Sequence, residues 1–205
     1  MKAEENLELY ETVSQDFNYS ADPLKDWKDV VISPGRFQPI HAGHEDMGRE
    51  LVRFAKQLKA EPVIVIVKGS SKSEKNPLSG ASRKKFLSPV FKGMKIILAD
   101  NPFAATEELF KKGFRPVGLV AGSDRTQGYK RLGEFYHIED FKVKGLKRDP
   151  DAQGSSSFSA TDVREKVKEG DLKGFLKMMP KKMTDKAAQQ MFKELSKVLK
   201  GPGVK

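Results

Sequence analysis

An unbroken apolar run, VIVIV at residues 63–67, restricts the fold of this chain more than any other feature. A strand with one face in water alternates apolar and polar residues, whereas this run has no polar member, as expected of a strand buried on both faces. Three further strand-like segments rich in apolar residues lie at 30–32, 94–98 and 117–121, with helical periodicity between them. This alternation predicts an α/β fold, a Rossmann-like open parallel sheet with helices on both faces and right-handed connections.

The intervening segments carry the spacing of amphipathic helices. Apolar residues recur at three- and four-residue intervals from Met47 to Leu58, and shorter helical patterns cover 81–91 and 106–112. Segment 135–147 is predicted to add an edge strand. Three further helices, each beginning near a Ser, Asp or Thr that can cap it, are predicted in a helical C-terminal segment: 159–169, 171–179 and 184–199.

The length of 205 residues is in the range of a single domain. We predict an N-terminal extension over residues 1–28 and a main α/β domain over residues 29–180. The C-terminal helix and tail, residues 181–205, are predicted to pack on that same domain.

Composition narrows the classes of function. The chain has no cysteine, which excludes disulfides and thiolate metal sites, so any metal needs oxygen or imidazole ligands. No apolar run approaches the roughly 18 residues of a membrane span, and the acidic start of the chain is unlike a secretory signal, so a cytoplasmic location is expected. The net charge of +10 indicates a phosphate-rich partner, either nucleotide or nucleic acid.

The first predicted strand runs into a glycine-containing loop with two histidines, GRFQPIHAGH at residues 35–44. In an open parallel sheet, ligands bind at the carboxyl ends of the strands. Backbone amides at the start of the following helix favour phosphate, and the imidazoles of His41 and His44 can both project toward it. A side chain at Gly43 would obstruct a nucleotide lying close to the backbone. The loop therefore predicts a phosphate-binding site.

Three segments of the chain resemble one family. GRFQPIHAGH is similar to the signature of the HxGH nucleotidyltransferases, and FSATDVR at 158–164 resembles their Ser-x-Thr-x-x-Arg element. NPLSGASR at 76–83 is similar to the Asn-Pro-Phe-Ser/Thr-x-x-x-Arg stretch of the archaeal-type nicotinamide mononucleotide adenylyltransferases and their phage and bacterial relatives. Leu78 replaces the usual Phe, and Ala160 stands where Gly or Ser often occurs.

The resemblance implies that a phosphorylated acceptor attacks a nucleoside triphosphate, and it implies roles for individual residues. His44 would contact the α-phosphate in the transition state, His41 would bind the nucleotide's phosphates, and Arg164 would hold the departing pyrophosphate. The full set of implied nucleotide- and phosphate-binding residues is Gly35, Arg36, Phe37, Gly43, Gly122, Asp124, Ser159 and Thr161. The candidates for binding the acceptor are Lys72, Asn76 and Arg83, with Lys75 beside them. Mg²⁺ is the expected cofactor, bridging triphosphate oxygens with mostly water ligands and no dedicated protein site.

The expected substrates are ATP and nicotinamide mononucleotide. Cytidylyl or adenylyl transfer to phosphopantetheine, flavin mononucleotide, or a sugar or alcohol phosphate is the alternative within the same fold. A catalytically silent nucleic-acid-binding protein is a further alternative, prompted by the lysine-rich C-terminal segment. That segment lacks the interleaved aromatic residues of single-strand binders, so a solvated helix face is favoured. The sequence leaves the oligomeric state open, and no membrane partner is expected.

Overall fold

A parallel five-stranded sheet forms the centre of the protein. The computed structural model describes residues 26–69, 73–147 and 158–201. The strands, all parallel, are β1 (Lys28–Gly35), β2 (Glu61–Val67), β3 (Lys95–Ala99), β4 (Phe114–Gly122) and β5 (Lys142–Leu146). Their order is β3-β2-β1-β4-β5, so the chain adds strands on one side of β1 and then crosses to the other side. The predicted Rossmann-like α/β fold is confirmed.

The helices follow the strands in the expected alternation. They are α1 (Ala42–Gln57), α2 (Gly80–Leu87), α3 (Pro102–Lys111), α4 (Thr126–Phe135), α5 (Ala160–Glu169), α6 (Leu172–Lys177) and α7 (Asp185–Leu199). A short 3₁₀ turn, Ser123–Arg125, precedes α4. The three helices of the C-terminal segment have N-caps of the predicted residue types. Ser159, Asp171 and Thr184 each accept a backbone N–H from the first turn of the helix that follows.

Helix α4 is the element that sequence periodicity missed. It contains Gly128 and Gly133, and only Leu132 and Gly133 within it are buried, so its apolar stripe is short. Gly133 is needed for close packing, since a Cβ there would lie 2.5 Å from the Cβ of Phe141. The predicted edge segment 135–147 therefore divides into the end of α4, a turn, and the five residues of β5.

Alternating residues of the central strands build two separate cores. Val31, Ile64 and Ile66 pack on one face of the sheet with apolar side chains of α1, α2 and the three C-terminal helices. Val30 and Ile32, on the opposite side of β1, pack with Ala105 and Leu109 of α3. Each fully buried aliphatic side chain contributes about 1.5–3 kcal/mol by leaving water. The prediction that the apolar run lies between two helical layers is confirmed.

The C-terminal helices share the larger of these cores. Phe175 of α6 and Met191 and Leu195 of α7 are fully buried there. At the other end of the chain, Trp27 packs edge-on against Phe110 with ring centroids 5.3 Å apart. Residues 1–25 of the predicted extension and 202–205 of the tail lie outside the described residues. Within the described ranges, none of the helices has the length and apolarity needed to cross a membrane.

Candidate active site

A cavity of about 410 Å³ opens at the carboxyl ends of β1 and β4, next to the point where the strand order reverses. Neighbouring connections diverge there to opposite faces of the sheet, which leaves a crevice. The cavity brings together segments that are far apart in the chain. Its lining residues are Pro34, Gly35, Arg36, Phe37, Gln38, His41, His44, Met47, Lys75, Ala121, Gly122, Asp124, Arg125, Ser159, Ala160, Thr161 and Arg164.

Most of the site residues predicted from the sequence line this cavity. Among the described residues, the exceptions are Gly43, Asn76 and Arg83. Gly43 lines a smaller adjoining cavity of about 210 Å³, which shares His41 and His44 with the first. Lys72 lies outside the described residues. The segments predicted from the sequence therefore converge on one cavity. The chemical roles of their individual residues remain predictions.

The two histidines cap the helix that carries them. The N–H of Gly43 donates to Nδ1 of His41 at 3.2 Å, and the N–H of His41 donates to Nδ1 of His44 at 3.2 Å. A ring nitrogen that accepts carries no proton, so in these neutral imidazoles the proton is on Nε2. The ring centroids are 3.9 Å apart, and His41 is only 3% exposed. Both imidazoles are thus fixed as Nε2–H donors, the form that binds phosphate oxygens.

The first amides of α1 have partners within the protein. The N–H of Ala42 donates to the carbonyl of Met178 at 2.8 Å, and the N–H of His44 donates to the carbonyl of His41 at 2.9 Å. Together with the Gly43 bond, these contacts engage the first turn. These three N–H groups, which the sequence predicted to face phosphate, therefore already have acceptors within the protein.

The loop before the histidines has an unusual backbone. Phe37 has a φ of 50°, in the left-handed region that bulky residues rarely adopt, at a cost of order 1–3 kcal/mol. Its ring is 2% exposed, 4.8 Å from the ring of His44 and 6.4 Å from that of Phe91. The ring also covers Gly35, where an added Cβ would lie 2.9 Å from it. Burial of this one ring holds the strained turn and supports His44.

Gln38 joins the histidine loop to the NPLS segment. Its side-chain amide donates to the carbonyl of Leu78 at 2.8 Å and accepts the N–H of Leu78 at 3.0 Å. Gln38 is 4% exposed, so this pair of bonds forms away from water, where an unpaired amide costs about 1–3 kcal/mol. Sequence reasoning quoted Gln38 within the motif but assigned it no role, because a contact across 40 residues leaves no local pattern.

Arg83 lies beneath the loop. It is 3% exposed, and its Nη1 donates at 2.7 Å both to the carbonyl of Arg36 and to that of Val67. Burial lowers the pKa of this guanidinium from its ordinary value. Asn76 is likewise buried, against Gly69, where a Cβ would lie 2.8 Å from its Cγ. In the structure, these two candidates for acceptor binding therefore contact the backbone of the loops.

Arg164 connects the second motif to the first. Its Nη1 donates to the carbonyl of Gln38 at 2.7 Å and its Nη2 to Oγ1 of Thr161 at 3.0 Å. Burial lowers the pKa of Arg164, Glu74 opposes that shift, and repulsion from Arg36 adds to it. An anion bound between the two guanidinium groups would relieve their repulsion. The part of the cavity lined by Arg36 and Arg164 is therefore suited to binding phosphate.

The end of β4 contributes an exposed wall. Gly122 ends the strand, and a Cβ there would lie 2.5 Å from Oδ1 of Asp124, so a side chain at this position would displace the carboxylate from its present orientation. Asp124 forms an ion pair with Arg125, 3.6 Å apart, and their side chains are 74% and 51% exposed. Arg125 lines the cavity but was not among the predicted residues. Its position directly after the strand was the available signal.

The family model for cytidylyltransferase-like proteins matches residues 32–166, about two thirds of the chain and including the whole cavity. The chain belongs to the cytidylyltransferase-like family of nucleotidyltransferases. None of the curated protein sequences matches this chain.

Solved structures agree with this fold. The nicotinic acid mononucleotide adenylyltransferase of Plasmodium falciparum, complexed with NaAD, is 16% identical over 81% of this chain and 98% of that chain, with a TM-score of 0.53. TmcAL of Thermotoga maritima, bound with alpha-thio ATP, is 12% identical over 82% of this chain and 56% of that one, with a TM-score of 0.51.

A macrolide-efflux protein from Streptococcus pneumoniae is also similar, 23% identical over 74% of this chain, with a TM-score of 0.50. The match spans 56% of the length of that protein. At these identities the likeness establishes the fold of the cytidylyltransferase-like domain and no substrate.

The loop that follows β2 brings one further cation to the cavity. Lys75 lines it, and the preceding residue, Glu74, forms an ion pair with Lys168 of α5. Hydrogen bonding to Lys168 lowers the pKa of Glu74, so this carboxylate is charged at neutral pH. The pair joins the loop to α5 on the side of the cavity where Arg164 lies.

The acidic groups of the site are few. Asp124 is the single carboxylate among the described residues that line the main cavity. No group of three or more His, Asp or Glu side chains within the described ranges is arranged to hold a metal ion. This donor set, with the carboxylate of Asp124 as its one acidic member, fits a Mg²⁺ ion that arrives on the triphosphate and keeps most of its water ligands.

Proposed function

We propose that this protein transfers the adenylyl group of ATP to nicotinamide mononucleotide, releasing NAD and pyrophosphate. The observation that carries the proposal is one cavity holding two imidazoles in the Nε2–H form together with four cations and one carboxylate. Among its described residues, such a site has many donors for phosphate and Asp124 as its one acidic group. This arrangement suits the attack of a phosphate monoester on a nucleoside triphosphate, which depends on charge neutralisation rather than on a base.

The acceptor supplies its own nucleophile. A phosphate monoester has a second pKa of about 6, so one of its oxygens is anionic near neutral pH without help from a base. That oxygen attacks the α-phosphorus, and the bond from the α-phosphorus to the bridging oxygen of the pyrophosphate breaks. The electron pair leaves with the pyrophosphate. Catalysis then depends on alignment and on neutralising the charge that builds on the oxygens.

In this mechanism the two histidines act on the reacting centre. His44 donates its Nε2–H to a non-bridging oxygen of the α-phosphate, where charge grows in the transition state, and His41 binds the adjacent phosphates. Because Nδ1 of each ring is already hydrogen-bonded to backbone, neither ring reorganises during the reaction. Mg²⁺ supplies further charge neutralisation on the triphosphate when it is bound.

The residues at the start of α5, with nearby cations, take the leaving group. Arg164 would bind the pyrophosphate with Ser159 and Thr161, while Arg36 and Lys75 extend the cationic surface. Ser159 Oγ also receives the N–H of Asp162, so its capping role is compatible with phosphate binding at the start of α5.

The choice of acceptor rests on the NPLS segment and its attachment to the site. Gln38, which lines the cavity, holds Leu78 through two hydrogen bonds, so the segment is joined to the histidine loop itself. A nicotinic acid mononucleotide adenylyltransferase whose chain is matched over 98% of its length supports a pyridine nucleotide acceptor. Phosphopantetheine, flavin mononucleotide, and sugar or alcohol phosphates are the competing acceptors.

A pyrophosphate-release assay tests the proposal. Each NTP is paired with each phosphorylated acceptor, and the His44→Ala variant serves as control. The highest release is expected with ATP and nicotinamide mononucleotide. No release from any pair, or equal release by the variant, would overturn the enzymatic function, and salt-sensitive DNA binding without turnover would favour a nucleic-acid-binding role.

A further inference from the structure

We infer that Glu45 is a positioning residue for the two active-site histidines, acting through the connection between α6 and α7. Its catalytic consequence rests on the proposed function, whereas its effect on the imidazoles is measurable without any substrate. Glu45 directly follows His44 in α1 and is 8% exposed. No role was assigned to it from the sequence.

The first contact is made by the carboxylate itself. Oε2 of Glu45 accepts the backbone N–H of Lys181 at 2.8 Å, a bond spanning 136 residues of the chain. A carboxylate that accepts a backbone N–H forms a short, charge-assisted bond, stronger than one between neutral groups. Glu45 also lies in the first turn of α1, where a negative charge interacts favourably with the helix dipole.

A second bond joins the same two parts of the molecule. The N–H of Ala42 donates to the carbonyl of Met178 at 2.8 Å. Residues 42 and 45 thus hold residues 178 and 181, and the histidine-bearing turn lies between the two bonds. The connection is itself anchored, because Met179 and Met183 are each 7% exposed within the larger core.

These bonds fix the orientation of the turn on which both imidazoles depend. The N–H of Gly43, in that turn, donates to Nδ1 of His41, and the backbone N–H of His41 donates to Nδ1 of His44. A shift of the turn would therefore change both capping bonds together. Helices α6 and α7, which lie beyond the end of the family match at residue 166, are linked to the histidines through this route.

Imidazole ¹H–¹⁵N NMR spectra of the full chain, without substrate, provide the direct test. The protein has three histidines, so His137, exposed and remote from the cavity, is an internal reference. In Glu45→Ala, the signals of His41 and His44 are expected to shift while those of His137 stay in place. Glu45→Gln, which keeps an oxygen that accepts the Lys181 N–H, is expected to restore most of the original signals.

Two controls separate positioning from general loss of stability. Lys181→Ala keeps the backbone N–H that Glu45 binds, so the histidine signals should not change. Asn101→Ala removes the side-chain cap of α3 on the other face of the sheet, where Oδ1 accepts the N–H of Ala104 at 2.9 Å. It should lower stability but leave the histidine signals in place. If Glu45→Ala does not fold, Glu45→Asp, with its oxygen withdrawn by one methylene, carries the test.

Unchanged His41 and His44 signals in a folded Glu45→Ala or Glu45→Asp variant would overturn the inference. Once turnover has been established, kcat of Glu45→Ala is expected to fall about tenfold to a hundredfold, with KM little changed and with recovery in Glu45→Gln. If no NTP and acceptor pair is turned over but the histidine signals shift, positioning stands and the proposed function fails.

Discussion

The two walls of the cavity differ in how they are held. The buried wall, formed by Phe37, Gln38 and His41, is at most 4% exposed, and each of these side chains is fixed by contacts within the protein. The exposed wall, formed by Arg36, Asp124, Arg125 and Thr161, faces solvent. The difference indicates that one wall is preorganised for the reacting phosphorus and the other gains its partners when the substrate binds.

The largest expected effect comes from the imidazole beside the buried wall. In His44→Ala, kcat should fall about 10²–10³-fold, because a donor aimed at developing charge is lost, while KM for the nucleotide changes much less. Steady-state kinetics with pyrophosphate release measures both constants. A variant that raised KM alone would place His44 in ground-state binding and end the distinction between the walls.

Removing the support of the buried wall should affect stability. Gln38→Ala is expected to lower the free energy of unfolding by about 1–3 kcal/mol, because the N–H and carbonyl of Leu78 lose their buried partner. Urea unfolding followed by circular dichroism measures the change. Gln57→Ala, at an exposed position of α1, is the matched control and should stay within about 0.5 kcal/mol of the parent protein.

The exposed wall should respond in the opposite way. Arg125→Ala is expected to weaken ATP binding about fivefold with little change in stability, because the cation is half exposed and screened. The loss should shrink as salt is raised. Isothermal titration with ATP, compared with Arg131→Ala on the solvent side of α4, distinguishes a site cation from general charge. Equal losses in both variants would mean that Arg125 acts only through net charge.

The smallest effect concerns the pair that joins the β2–α2 loop to α5. Lys168 lowers the pKa of Glu74, so the stability from this pair is present above the ordinary value of 4.5 and is lost as pH falls toward the lowered pKa. The urea midpoints of the parent and of Glu74→Gln should therefore differ slightly at pH 6 and converge at about pH 3. A difference that persisted in acid would assign the effect to packing.

The residues that line the cavity were easier to predict from the sequence than the contacts that hold them. Gly122, Asp124 and Ser159 follow strands or cap helices, and such positions have local signatures in spacing and residue type. The contacts of Gln38 with Leu78 and of Glu45 with Lys181 join residues far apart in the chain, and no periodicity encodes them.

Arg83 shows that residue type alone can also suggest the wrong role for a side chain. Its charge indicated a ligand contact, whereas the structure uses all of its described bonds on backbone carbonyls beneath the loops. Burial of a charged group depends on the complete fold, so residue type alone is a poor guide to it. Helix α4 was missed for a related reason, since Gly133 within it is explained only by Phe141, which packs on it and lies outside the helix.

The reversal of strand order at β1 also bears on how such a protein diversifies. The histidine turn follows β1, Lys75 follows β2, Asp124 and Arg125 follow β4, and Arg164 lies on α5 beyond β5, so the cavity is built from several separate connections. Substitutions in one connection that spare the bonds of Gln38 and Arg164 to the others can leave the geometry of those others in place. New specificities can thus arise by exchange of one loop, and the fold is retained by structures that share only 12–23% of its residues.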